Sequence, residues 1–142
     1  MFHTFASPVH VIGTIGDAVV AHALWVTRWL APGPIGLLRT AYVEAVATEP
    51  QFQRRGYASL LMQHLIDAVA DFDLAALSAS DQGQSLYARL GWQTWSGALF
   101  IRTDTGTIAT PDDAVMIFRL PATPRLDTAS PLSAEWREGE LW

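Results

Sequence analysis

Between Val46 and Leu61, in the stretch VATEPQFQRRGYASLL, the hydrophobic period of the chain changes from two to between three and four, and any fold must accommodate that change. Upstream, Val9–Ile15 and Ala18–Leu30 are apolar, β-branched runs around Gly16-Asp17, the pattern of a hairpin with a tight turn. The breaker APGPIG at 31–36 separates them from Leu37–Ala47, again strand-like, so the first third reads as an antiparallel meander. Downstream, Ala58, Leu61, Met62, Leu65, Val69 and Phe72 fall on one helical face, with Gln63, His64 and Asp67 off it.

Beyond DFD, which closes that helix, Leu74–Ser78 suits a short buried strand. Asp81–Leu90 suits a helix capped by Ser80 or Asp81 and stopped by Gly91. Gln93–Arg102 and Ala114–Leu120 read as strands around the turn-rich TDTGTIATPDD, and residues from Pro121 onward as an irregular tail. The expected order is three strands, helix, strand, helix, two strands: a mixed α/β fold in one domain spanning 1–142.

Composition narrows the function. With 142 residues, half of them hydrophobic and 16% charged, the chain can bury roughly 68–70% of its unfolded surface in one core. It contains no cysteine, so disulfides, a thiolate nucleophile and Cys-based zinc sites are excluded. His3, His10, His22 and His64 have no metal-ligand spacing, and no metal is expected. The net charge of −5 disfavours nucleic acid and suits a cationic partner. The apolar run Ala18–Leu30 is short and broken by His22 and Arg28, and MFHTFASPVH carries no secretory pattern, so no membrane association and a cytoplasmic location are expected.

Arg54, Arg55 and Gly56 stand where a strand gives way to a helix, and the backbone N–H groups of a first helical turn are unpaired. Two arginines, the helix dipole and a glycine that admits close backbone approach suit a pyrophosphate. They equally suit a solvated basic helix start. Gln53-Arg54-Arg55-Gly56-Tyr57-Ala58 resembles the Q/R-x-x-G-x-G/A signature of the GCN5-related N-acetyltransferases, and SLYARLGW at 85–92 resembles that family's later helix with its tyrosine. Together with YVEAVA, ALSAS, TPDD and EWREGELW, the chain is most similar to the aminoglycoside 2'-N-acetyltransferases.

The resemblance implies a mostly antiparallel sheet, flanked by helices and splayed where acetyl-CoA enters. It also implies direct acetyl transfer to an amine of an aminoglycoside without a covalent enzyme intermediate. Residues 53–58 and the bulged strand at Val46 and Thr48 would hold the cosubstrate. Glu44 would be the base, since an ammonium must lose a proton before it attacks a thioester. Tyr87 would serve the leaving thiolate. Ser78, Asp112, Asp113, Glu140 and the carboxylate of Trp142, with Glu44, would face the cationic sugar. Trp136 is expected to anchor the tail by burial.

Family members begin with a strand and helical pair that have no counterpart before Val9, so the resemblance is to an N-terminally shortened chain, and a homodimer covering the gap is expected. Trp25 and Trp29 would share one strand face, in core or at a subunit contact. Other acceptors, an amino sugar or polyamine, stay open, as does a catalytically silent module that binds CoA or a cationic ligand.

Overall fold

The computed structural model describes residues 8–142, so His3 lies outside them. The expected meander is present. β1 (Val9–Ile15) and β2 (Ala18–Pro32) form the hairpin, and β3 (Leu38–Thr48) pairs antiparallel with β2. A single 3-10 turn, Pro50–Phe52, precedes α1 (Tyr57–Ala68), which begins at Tyr57 and no earlier. Gly56 is the reason: it sits at the N-cap in the left-handed region with φ 82°, a conformation that L side chains reach at a cost of about 1–2 kcal/mol.

β4 (Leu74–Ser78) returns parallel to β3, so α1 is a crossover helix packed on one face of the sheet. α2 (Asp81–Arg89) is capped by Ser80, whose Oγ accepts from the Gly83 N–H at 3.2 Å, and Gly91 follows its end at φ 98°. The remaining strands are β5 (Gln93–Thr94), β6 (Leu99–Thr103), β7 (Gly106–Ala109), β8 (Val115–Phe118) and β9 (Leu132–Glu135). The sheet order is β5-β8-β4-β3-β2-β9-β6-β7, with β1 also on β2.

Four expectations are corrected. Gln93–Arg102 is not one strand but β5 and β6, which pair with different neighbours, and α1 ends at Ala68, before DFD. TDTGTIATPDD is not all turn, because β7 folds back on β6 as a second hairpin. Nor is the tail irregular throughout: β9 lies parallel to β6 and antiparallel to the last residues of β2, joining the second hairpin to the meander. Four residues of alternation in LSAE are too few to stand out as a strand, and the pairing comes from partners more than thirty residues away.

Alternation places one core on each face. Trp25, Val43, Leu61, Met62, Leu65, Leu77 and Met116 pack on the α1 side. Leu30, Tyr42, Trp95, Ile101, Ile117, Leu132 and Trp142 pack on the other. Trp29 follows Trp25 at even spacing, but Trp25 is buried and Trp29 is exposed. No helix among the described residues is long and apolar enough to cross a membrane.

Candidate active site

β3 and β4 stay paired from Thr40↔Leu74 to Val43↔Leu77 and then part. β4 stops at Ser78, whereas β3 runs on to Thr48, bonded to β2 alone. Beyond Val43, therefore, the β4-facing edge of β3 opens inside the sheet. The register between β2 and β3 slips there, and Ala45 takes φ 54°. Arg54, at φ 63°, is the other non-glycine residue with positive φ among those described. Both positions border the opening, Ala45 at one of its cavities and Arg54 at the other.

Along this opening lie two cavities. One, of about 440 Å³, is bounded by Thr48, Gln53, Arg54, Gly56, Tyr57 and Ala58, with Leu86 and Arg89 of α2 opposite. Gln53 is fixed by its side-chain amide, which donates to the Thr48 carbonyl at 3.2 Å. No side chain caps α1, so the amides of its first turn remain available, and a Cβ built on Gly56 would meet nothing within 4 Å. An uncapped helix start beside arginine is suited to an anion. Arg55 does not line this cavity; its guanidinium lies 5.8 Å from the Phe52 ring centroid.

The second cavity, about 410 Å³, is lined by Tyr42, Glu44, Ser78, Glu140 and Trp142 as well as Arg137 and Glu138. The sequence signature thus brings Glu44, Ser78, Glu140 and Trp142 together. It does not bring Asp112 and Asp113, which are exposed and stand outside the lining. Asp113 still acts on Tyr42: after burial and two nearby arginines, the charges of Glu44 and Asp113 are further influences on its hydroxyl. Val46 packs against the α1-side core. Tyr87 lines neither cavity; its ring is 6.1 Å from that of Trp92, and burial raises its pKa above the ordinary phenol value.

Arg28 organises the tail. Buried at 2% exposure, it donates to Glu135 Oε1 at 2.7 Å and to the carbonyls of Glu135 at 2.6 Å and Leu141 at 2.7 Å. Burial draws its pKa below the ordinary value and the Glu135 carboxylate offsets part of that. The Trp142 indole, 3% exposed, donates to Thr110 Oγ1 at 2.8 Å. Trp142, not Trp136, is the anchor: Trp136 is 56% exposed. The sequence treated Arg28 only as a break in an apolar run and passed over Tyr42, Arg137 and Glu138. The one signal for Arg28 was a cation in an otherwise apolar strand.

A model of the Acetyltransferase (GNAT) family matches residues 2–92. The chain belongs to this family. It is 35% identical over 130 residues to an aminoglycoside 2'-N-acetyltransferase of Mycolicibacterium fortuitum; the match covers 88% of this chain and 66% of that protein's length. The fold is similar to that of the GNAT family N-acetyltransferase YhbS of Escherichia coli, solved in complex with CoA (TM-score 0.61, 15% identity, 89% of this chain and 66% of that one). It is also similar to a GCN5-related N-acetyltransferase of Ralstonia eutropha JMP134 (TM-score 0.52, 28% identity, 58% of this chain and 56% of that one). In this GNAT chain, the first cavity borders the uncapped start of α1 and the end of β3 at Thr48, and the second borders the same strand at Val43, Glu44 and Ala45. Among the described residues no group of three or more His, Asp or Glu is arranged to hold a metal.

Proposed function

We propose that the protein transfers the acetyl group of acetyl-CoA to an amine of an aminoglycoside. The observation that carries this reading is the acid-rich cavity around Glu44 at the point where β3 and β4 part. The family match, and the 35% identity to a protein named for aminoglycoside 2'-acetylation, support it.

On this reading, Gln53, Arg54, Gly56, Tyr57, Ala58 and the first-turn amides of α1 receive the pyrophosphate, with Arg55 outside the cavity at longer range, and the open edge of β3 beyond Val43 pairs with the pantetheine arm as an added strand would. Val46 and Thr48 position that arm, and a backbone N–H of the bulge faces the thioester carbonyl oxygen as it gathers negative charge. Glu44 takes a proton from the acceptor ammonium; the freed amine attacks the carbonyl carbon, the C–S bond breaks, and the thiolate accepts a proton from Tyr87. Tyr87 lies on the helix that faces the first cavity, with its hydroxyl kept protonated by burial. Ser78, Glu140 and Trp142 border the sugar, with Asp112 and Asp113 at longer range.

Thiol release on mixing the protein with acetyl-CoA and gentamicin tests the proposal directly. Turnover with gentamicin is expected. Turnover only with simple polyamines would move the acceptor to that class, and binding of CoA without turnover with any amine would leave a silent module.

A further inference from the structure

The second cavity already holds a cation, and it belongs to the chain. Arg137 enters from the turn after β9, with Nη1 2.5 Å from Glu44 Oε1 and Cζ 5.3 Å from the centroid of the Tyr42 ring. Its Nε donates to the Glu140 carbonyl at 2.6 Å, which fixes the side chain from its own turn. The contact with Glu44 is close but lacks hydrogen-bond alignment, since Glu44 Oε1 is buried without a hydrogen-bond partner among the described residues. It is a Coulombic pairing, and a better-aligned donor at the same place would improve on it. Tyr42 supplies a second, independent sign of a missing ligand: its hydroxyl is buried in a residue 1% exposed, and has no hydrogen-bond partner among the described residues.

We propose that Arg137 is an internal stand-in for the acceptor's ammonium, so that an acceptor reaches Glu44 by exchanging its own cation for the guanidinium. This rests on the reading of the cavity as the acceptor site. While the guanidinium occupies the place beside Glu44 Oε1, no acceptor ammonium can come within reach of that oxygen. Only after the exchange does Glu44 face an ammonium able to give up a proton to it.

The exchange also selects substrates. Around the cavity stand three carboxylates, Glu44, Glu138 and Glu140, against the one guanidinium of Arg137; Arg28, nearby, is matched by Glu135. An acceptor with one ammonium trades cation for cation at Glu44 and gains little. One with two or more also meets Glu138 and Glu140, and the surplus drives Arg137 aside. The residue therefore sets a threshold of charge, and the class admitted is the polycation, with neutral or singly charged amines discriminated against.

Steady-state kinetics with gentamicin as polycation and glucosamine as monocation test this in wild type, Arg137→Gln and Arg137→Lys. Arg137→Gln should lower the KM for glucosamine by roughly fivefold or more, the scale of one partly exposed ion pair, and lower that for gentamicin less. The KM for acetyl-CoA should not change, and Arg137→Lys should keep the wild-type preference. An unchanged or increased ratio of the two acceptor KM values in Arg137→Gln overturns the proposal. If wild type shows no thiol release with either amine, the acetyltransferase reading fails by itself. Calorimetry of gentamicin without acetyl-CoA then still decides the exchange: tighter binding by Arg137→Gln supports it, and equal or weaker binding overturns it.

Discussion

Arg28 and Glu135, 107 residues apart in sequence, are joined twice: the guanidinium donates to the carboxylate at 2.7 Å and to the backbone carbonyl of the same residue at 2.6 Å. The other carboxylate oxygen accepts from the Trp29 N–H at 2.7 Å. One side chain of β2 thus fastens β9 and, through Leu141, the end of the chain that walls the second cavity. Arg28→Met leaves two carbonyls without their side-chain donor and the Glu135 carboxylate with the Trp29 N–H alone, and should destabilise the fold by about 3 kcal/mol. An unchanged urea midpoint would show that β9 is held by its strand pairing alone.

Glu44→Gln keeps the size of the side chain and removes its basicity. A general base contributes roughly 10²–10⁴-fold, so kcat should fall by about two orders of magnitude or more while the affinity for acetyl-CoA, measured by calorimetry, holds. Turnover at the wild-type rate would take Glu44 out of the chemistry.

Tyr42→Phe removes a buried hydroxyl that has no hydrogen-bond partner among the described residues, and should leave stability at neutral pH unchanged or slightly raised. Its effect on pH dependence is the sharper readout. Burial raises the pKa of Tyr42 above the ordinary phenol value, and that of Tyr87 too. The folded state therefore holds these protons more tightly than the unfolded one. The associated stability is complete below about pH 10 and is lost as pH rises beyond that. Thermal melts above that pH should show a shallower decline for Tyr42→Phe than for wild type; identical slopes would mean the phenol is not buried in solution.

Gly97→Ala tests how the tail passes the sheet. A Cβ there would lie 1.9 Å from the Ser130 carbonyl oxygen and 2.6 Å from its carbon, both backbone atoms. The Ser96 and Gly97 amides both donate to Thr128, and the Trp95 indole donates to Ser130, so the two segments cannot separate freely. A loss of about 3 kcal/mol, the upper end for overpacking, is expected; a soluble, equally stable variant would mean that residues 127–131 move aside without cost.

The meander, α1, a cap at Ser80 or Asp81 and the junction at Gly56 were legible in the sequence because each depends on neighbours close in the chain. β9 was not, since LSAE becomes a strand only between β2 and β6. Trp136 and Trp142 look alike in a list of residues. Which of them is buried depends on which one reaches Thr110 and the underside of Arg28. Arg137 was passed over for a related reason: a tail read for its acids did not reveal that this arginine folds onto an acid some ninety residues earlier.

The slip at Ala45 has a geometric consequence of its own. In an unbroken strand Val43, Ala45 and Ala47 would share a face; instead Val43 and Val46 both pack on the α1 side, opposite Trp25 and the alanines of β2. One extra residue acts as a change of phase. It lets a single strand present Glu44 to one side of the sheet and, two positions later, Val46 to the other. Were Ala45 instead accommodated in regular register, with no slip, even alternation would turn both residues the same way, so the phase of this strand, rather than the identity of any one side chain, keeps its two working faces apart.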